Sequence, residues 1–292
     1  MNPSDFSTIS FPGLGIEVNP VRALEIGPFS FHLYGLIIAF GLMLAVLYAC
    51  KRSRQFGLTA DDLTDGVLWI VPLAILCARL YYCIFQWKSY KDNPIEILYI
   101  WQGGLAIYGG VIGAALGIIL FSRMKKVKIG AVLDITSLGF LIGQSIGRWG
   151  NFFNREAFGE ETDSFLRMGL TKIGTDITKY YHPTFLYESI WNAVGFVLLH
   201  WFSKRRKYDG QVALCYLAWY GLGRTFIEGL RTDSLYWGNF RVSQILAAVT
   251  CFLGVALLMF FGFQDHDPAK LQKNIFAAQE EAKAESEAQE EE

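Results

Sequence analysis

The chain has 292 residues, enough for one large or two ordinary soluble domains. Its composition excludes that reading: 52% of the residues are apolar and only 18% charged, where an ordinary soluble protein has roughly 25% charged residues. The net charge of −1 gives no basic excess, and no nucleic-acid partner is expected.

Residues 1–30 are moderately apolar but interrupted by Pro12, Pro20, Pro28 and several glycines. They are expected to form an extracytoplasmic segment at the membrane surface and not a cleaved signal peptide. Seven apolar runs follow, at about 31–50, 66–86, 104–122, 130–147, 184–203, 211–229 and 242–263. Each is close to the length that crosses a bilayer as a helix, about 20 residues. In hydrocarbon the backbone must satisfy its own hydrogen bonds, which favours helices. The runs are continuous, unlike the alternating segments of a membrane barrel. Leu47 to Cys50 superficially resembles a lipobox, but Lys51, Arg52 and Arg54 follow it and mark a helix stopping at the cytoplasm. All five cysteines, Cys50, Cys77, Cys83, Cys215 and Cys251, lie in apolar runs without paired spacing and are expected to be core residues.

Basic residues set the orientation. Lys51, Arg52 and Arg54 follow the first run, Arg123, Lys125, Lys126 and Lys128 the third, and Lys204 to Lys207 the fifth. The intervening connections are poorer in them. The expected fold is therefore all-α: a polytopic integral membrane protein with about seven transmembrane helices, N-terminus outside and C-terminus cytoplasmic. The segment 148–183 then faces outside or lies at that interface. The expected domains are the N-terminal segment 1–30, a seven-helix transmembrane domain over 31–263, and an acidic, solvated cytoplasmic tail over 264–292.

Ionisable residues inside spanning segments cost roughly 2.5–3.5 kcal/mol each on the insertion scale, so they mark candidate function. Arg79, Asp134, Glu188, Arg224 and Glu228 are such residues, and Arg148 ends the fourth run. Tyr220, Arg224 and Glu228 recur every four residues on one helix face, with Arg231 three beyond. The plain structural reading is an internal ion pair that neutralises two buried charges. The stretch Gly147 to Gly159 packs Arg148, Asn151, Asn154, Arg155 and Glu156 among glycines and aromatics. Alternatively it is a capped helix end with an aromatic anchor. His182 and Pro183 open a helix that carries Tyr187 and Glu188 into the membrane. Gly103 to Gly110, with Tyr108, is explained structurally by tight helix packing.

Together these stretches resemble the prolipoprotein diacylglyceryl transferase family. The resemblance runs from His32-Leu33-Tyr34-Gly35 through Gly103–Gly110, Gly147–Gly159, His182–Glu188 and Tyr220–Arg231 to Ser243-Gln244-Ile245-Leu246. Its most specific part is G-R-x-G-N-F-x-N-x-E-x-x-G, matched from Gly147 through Gly159. The acidic tail lies outside it. The resemblance implies a multi-pass enzyme of the bacterial cytoplasmic membrane. It would move the diacylglyceryl group of phosphatidylglycerol to the lipobox cysteine of a prolipoprotein signal peptide, forming a thioether and releasing glycerol 1-phosphate. No cofactor or metal is implied, and the surrounding membrane lipids are the only other partners.

Under that reading Arg148, Arg224, Tyr108 and Tyr34 are the expected catalytic residues. Arg148, Asn151, Asn154, Glu156, Gly159, Tyr220 and Arg224 would bind phosphatidylglycerol. His182, Tyr187, Glu188, Glu228, Arg231, Arg79 and Asp134 would support them. Arginine suits a phosphodiester whose departing oxygen gains charge, because its fork bonds phosphate bidentately. One position departs from the family: Tyr108 stands where well-known members carry a histidine proposed as general base. Tyrosine, with a pKa near 10, is the poorer base. Tyr108 is then a hydrogen-bond donor, or His32 or His182 takes the proton, or the histidine was never essential.

Three rival classes fit the sequence less well. An anionic-solute transporter would carry internal repeats, and none is evident. An intramembrane protease would show a metal motif or a Ser–His or Asp pair, and His32, His182, His200 and His266 have no such spacing. A non-catalytic assembly factor would not need clustered buried charge.

Overall fold

The computed structural model describes residues 6–27, 29–175, 177–232, 236–238 and 240–290; Pro28, Glu291 and Glu292 lie outside them. Each of the seven apolar runs becomes one helix: α1 (Leu33–Arg52), α2 (Ala60–Phe85), α4 (Ile107–Lys125), α5 (Ile129–Asn154), α6 (Thr184–Ser203), α7 (Gln211–Glu228) and α8 (Val242–Gly262). A single turn, α3 (Trp87–Tyr90), follows α2, and α9 (Gln272–Glu290) occupies the tail. Among the described residues five helices are long and apolar enough to cross a membrane: α1, α2, α4, α5 and α8. The protein is a membrane protein. Glu188 and Asn192 dilute the hydropathy of α6, and Arg224 and Glu228 that of α7.

The expectation of an all-helical chain needs correction. Eight short strands occur among the described residues: β1 (Phe6–Phe11), β2 (Ile16–Val18), β3 (Ala23–Ile26), β4 (Phe29–His32), β5 (Met168–Lys172), β6 (Thr178–Tyr181), β7 (Tyr236–Trp237) and β8 (Phe240–Arg241). The strands are short and lie between prolines and glycines. Most pair with a near neighbour in short hairpins, and only β1 and β5 join distant segments; at two to six residues each they are too short for an alternating pattern to announce them.

The chain divides into two compact units. The first contains residues 1–47, 137–206 and 211–265. Its antiparallel sheet has the order β2-β1-β5-β6, with Ile9 opposite both Val18 and Leu170, and Met168 opposite Tyr181. One face buries Phe6, Ile9, Phe11, Met168, Leu170 and Tyr181 against Phe185 at the start of α6. Phe158 joins this core, 4.6 Å from the Tyr181 ring and 6.0 Å from that of Phe6. Arg155 fastens the N-terminal segment to the end of α5. It is buried, in the left-handed region (φ 57°), and donates to the Ser7 carbonyl at 2.7 Å, to the Pro20 carbonyl at 2.7 Å and to Asn19 Oδ1 at 2.8 Å. Burial, with the neighbouring Arg22 charge, lowers its pKa; a guanidinium stays protonated regardless.

In the same unit α6 and α7 are joined by a reciprocal pair. The indoles of Trp191 and Trp219 stack with centroids 4.4 Å apart, and each N–H donates to the other's carbonyl at 3.0 Å. Gly223 makes room: a Cβ there would lie 2.1 Å from the Trp191 indole nitrogen.

The second unit contains residues 48–136, 207–210 and 266–292. Thr59 and Asp62 form a capping box at the start of α2, six residues before the apolar run begins. Lys125 of α4 reaches Asp62 at 3.0 Å and Asp65 at 2.7 Å. Along the contact, Gly109, Gly113 and Gly117 form a small-residue stripe on α4. A Cβ at Gly109 would lie 2.4 Å from the Cys77 carbonyl oxygen, and at Gly113 2.8 Å from the Ala74 Cα. This is the close packing expected where helices meet through glycines.

Arg79, buried on α2, donates to the carbonyls of Glu96 at 2.7 Å, Ile97 at 2.9 Å and Gly103 at 2.7 Å. It thereby satisfies carbonyls of the short 3-10 helix Pro94–Leu98 and of the glycine turn that precedes α4. Asp134, fully buried, accepts from the Gly210 amide at 3.0 Å. The tail is helical beyond its first turn and anchored at Gln272. That residue accepts from the Lys128 amide at 3.1 Å and donates its own amide to Asp209 Oδ2 at 2.7 Å.

Candidate active site

The site lies in the first unit and is assembled from α5, α6, α7 and the segments that leave them. Arg148, Asn151 and Asn154 recur every three residues on the last turns of α5. Arg148 Nη1 donates to Asn151 Oδ1 at 3.3 Å. Asn151 and Asn154 then donate to the same Glu156 oxygen, at 3.0 and 3.2 Å. Glu156 can turn back toward the helix because Arg155 and Ala157, on either side of it, take left-handed φ values of 57° and 56°.

Glu188 is the centre of the arrangement. One carboxylate oxygen lies 2.5 Å from Arg148 Nη2. The other lies 2.5 Å from Arg224 Nη1 and 3.5 Å from Arg231 Nη1. Arg224 Nη2 also pairs with Glu228 at 2.6 Å, one turn along α7. Three guanidiniums thus face two carboxylates among the described residues. Exposure divides them by type. The side chains of Arg148 and Arg224 keep 23% and 17% of their surface, those of Glu188 and Glu228 only 4% and 3%. An incoming group therefore meets the cations, while the carboxylates orient them from behind.

The remaining expected residues divide by unit. Gly159 pairs with Arg231 as an isolated bridge, and its amide donates to the His182 carbonyl at 2.9 Å. A Cβ at Gly159 would lie 2.7 Å from the His182 Cβ and 2.8 Å from the Leu230 carbonyl oxygen, so only glycine fits that crossing. The His182 ring meets the Tyr187 hydroxyl at 3.2 Å. Tyr34 of α1 lies over Gly150, where a Cβ would come within 2.6 Å of its ring. Tyr220 stacks on Tyr216 at 5.7 Å and, with Arg224 and Glu188, lines a small cavity. Tyr108, Arg79 and Asp134 belong to the second unit. There Tyr108 opens α4, is 47% exposed, and its ring lies 6.4 Å from that of Tyr81.

Several residues at the site were not singled out from sequence. Arg241 donates to the Glu228 carbonyl at 2.6 Å and pairs with Glu160 at 2.9 Å. A hydrogen bond to the Tyr236 hydroxyl, aided by Glu160, raises its pKa against the opposing effect of burial. Trp149 donates to Ser189 Oγ at 3.2 Å, and Ser145 and Ser189 each donate a hydroxyl to the other's carbonyl, at 2.9 and 2.8 Å. Asn192 is buried one turn beyond Glu188. A polar residue four positions from Glu188 within an apolar run was the available signal for it. Among the described residues no cluster of three or more His, Cys, Asp or Glu side chains is arranged to hold a metal ion.

Comparison with known proteins identifies the family. The family model described as prolipoprotein diacylglyceryl transferase matches residues 21–260. A phosphatidylglycerol–prolipoprotein diacylglyceryl transferase of Listeria welshimeri is 43% identical over 254 residues, 85% of this chain and 92% of its own length. One of Lactiplantibacillus plantarum is 44% identical over 256 residues, 83% of this chain and 89% of its own. One of Limosilactobacillus reuteri is 42% identical over 245 residues, 81% and 89% of the two chains. The acidic tail falls beyond the matched range, and the arginines around Glu188 fall within it: the chain belongs to the prolipoprotein diacylglyceryl transferase family.

Proposed function

We propose that this chain transfers the diacylglyceryl group of phosphatidylglycerol to the lipobox cysteine of prolipoproteins, in the bacterial cytoplasmic membrane. The substrate sulfur attacks the glyceryl carbon bonded to the phosphate. A C–S bond forms, the C–O bond breaks, glycerol 1-phosphate leaves, and the thiol proton goes to a base. The leaving phosphate gains negative charge as the bond breaks, so cations aimed at it favour the transition state over the bound lipid.

One observation carries this reading: two partly exposed arginines, Arg148 and Arg224, held from behind by buried Glu188. They take the phosphate. Asn151, Asn154, Glu156, Gly159 and Tyr220 position the headgroup and the arginines. Glu188, Glu228 and Arg231 fix the guanidiniums, and Tyr34 sits near the reacting carbon. His182 and Tyr187 hold the start of α6. Arg79 and Asp134 hold the backbone of the second unit. Tyr108 donates a hydrogen bond, since a phenol is a poor base at neutral pH. Proton acceptance falls to His182 or His32, imidazole being the side chain that titrates near neutrality.

We also assign seven spans, with the N-terminus outside, the tail in the cytoplasm, and the domain limits 1–30, 31–263 and 264–292. Pairing in the first unit supports this. The β1–β5 ladder joins segments separated by four long helices, and the Gly159–Arg231 bridge joins segments separated by two. Even numbers put all these segments on one face if every helix crosses. The basic connections then fall on the other face.

The test is reconstitution of the purified chain with phosphatidylglycerol and a lipobox peptide. A thioether-linked diacylglyceryl peptide with release of glycerol 1-phosphate is expected. A folded protein that yields no product where a family relative is active would overturn the reading.

A further inference from the structure

A small cavity lies beside Arg224, with a volume of about 10 Å³, bounded by Glu188, Asn192, Tyr220 and Arg224 and walled by Trp191 and Ile227. That is about the room needed by one water-sized group. Four of the seven residues that line it, Glu188, Asn192, Tyr220 and Arg224, have polar side chains, and a polar site of this size can hold a water-sized group. Asn192 is 2% exposed, and its carboxamide oxygen has no hydrogen-bond partner among the described residues. A buried acceptor left unpaired in a native protein calls for an occupant or a role. The wall is rigid, because the Trp191–Trp219 pair clamps α6 to α7 just above it.

We propose that this cavity is a subsite for a single hydroxyl group, anchored by Asn192. A carboxamide both donates and accepts, and a hydroxyl is the smallest group that answers both. The hydroxyl belongs either to the glycerol headgroup of the bound lipid or to a resident water that completes the packing around Arg224. The proposal rests on the transferase reading of the same site, and Asn192 is a positioning residue within it.

The experiment uses the full chain in detergent, with phosphatidylglycerol and with phosphatidylpropanol, which lacks both headgroup hydroxyls. Native mass spectrometry measures lipid retention independently of turnover, and the lipidation assay measures kcat and KM. Asn192→Leu removes the carboxamide, and Asn192→Ser keeps a smaller polar group. If the headgroup supplies the hydroxyl, the wild type retains phosphatidylglycerol about five- to tenfold better than phosphatidylpropanol, the size expected for one buried hydrogen bond. Asn192→Leu then erases that preference and Asn192→Ser recovers part of it. If a water supplies it, Asn192→Leu leaves the wild type's ratio between the two lipids unchanged. Asn192→Leu then lowers kcat about five- to tenfold with KM unchanged, and Asn192→Ser recovers part of the loss. The proposal is overturned if Asn192→Leu matches the wild type in both lipid preference and kcat, or if both variants fail to fold, which would assign Asn192 to packing alone. A wild type that makes no thioether product sinks the transferase reading, and the retention ratios still decide whether the headgroup hydroxyl occupies the subsite.

Discussion

Arg148, near the end of α5, reaches 2.5 Å from the carboxylate of Glu188 on α6. The carboxylate also holds Arg224 and Arg231, so one buried acid fixes the direction of three cations. Removing one partner of a buried ion pair costs about 3–5 kcal/mol, because the other is left uncompensated. Glu188→Gln should therefore lower the Tm in detergent by on the order of 10 °C, with Glu188→Asp intermediate. Thermal unfolding by circular dichroism measures this; a Tm within a degree of wild type for Glu188→Gln would show that the carboxylate does not organise the cluster.

The Trp191–Trp219 pair makes a prediction about coupling. Each indole N–H satisfies a carbonyl on the other helix. Trp191→Phe and Trp219→Phe should each cost about 1–2 kcal/mol. The double variant should cost clearly less than the two together, since the rings share one stacked contact. Strict additivity in urea unfolding would count against the reciprocal arrangement.

A choice between two histidines tests the proton route. His182 lies against Tyr187 in the first unit, and His32 ends β4. Loss of a general base typically lowers the rate about 10²–10⁴-fold. His182→Asn is expected to show that loss in kcat and His32→Asn to show little. The reverse order would move the role to His32, and near-wild-type rates in both would remove a histidine base altogether.

Gln272 anchors the tail through Lys128, Asp209 and Gly57. Gln272→Ala should destabilise the protein by about 1–2 kcal/mol while leaving KM for phosphatidylglycerol unchanged. A selective change in KM would tie the tail to lipid binding instead.

The helices and the polar residues of the site were legible in the sequence for one physical reason: charge in hydrocarbon is costly, so it stands out against an apolar run. Arg148, Glu188, Arg224 and Glu228 were found that way, and the structure brings them together. The strands were not legible. Ile9 pairs with Leu170 across most of the chain, and neither flanking segment shows a long alternating pattern. Helix α2 begins six residues before its run because Thr59 and Asp62 cap a polar first turn. Arg241 was counted only as charge on a connection, and its contact with the Glu228 carbonyl depends on how α7 ends. Arg79 read as a buried charge; its role in capping the carbonyls of Glu96, Ile97 and Gly103 required knowing where that loop runs.

The most direct test of the central claim is the steady-state lipidation kinetics of Arg148→Lys and Arg224→Lys beside wild type, with folding checked by thermal unfolding. Lysine keeps the charge but loses the bidentate fork. If the two guanidiniums stabilise the departing phosphate, both variants remain folded and lose about 10²-fold or more in kcat, the scale of one transition-state contact removed. Full kcat in both, with only KM raised, would place the arginines in ground-state binding and contradict the account.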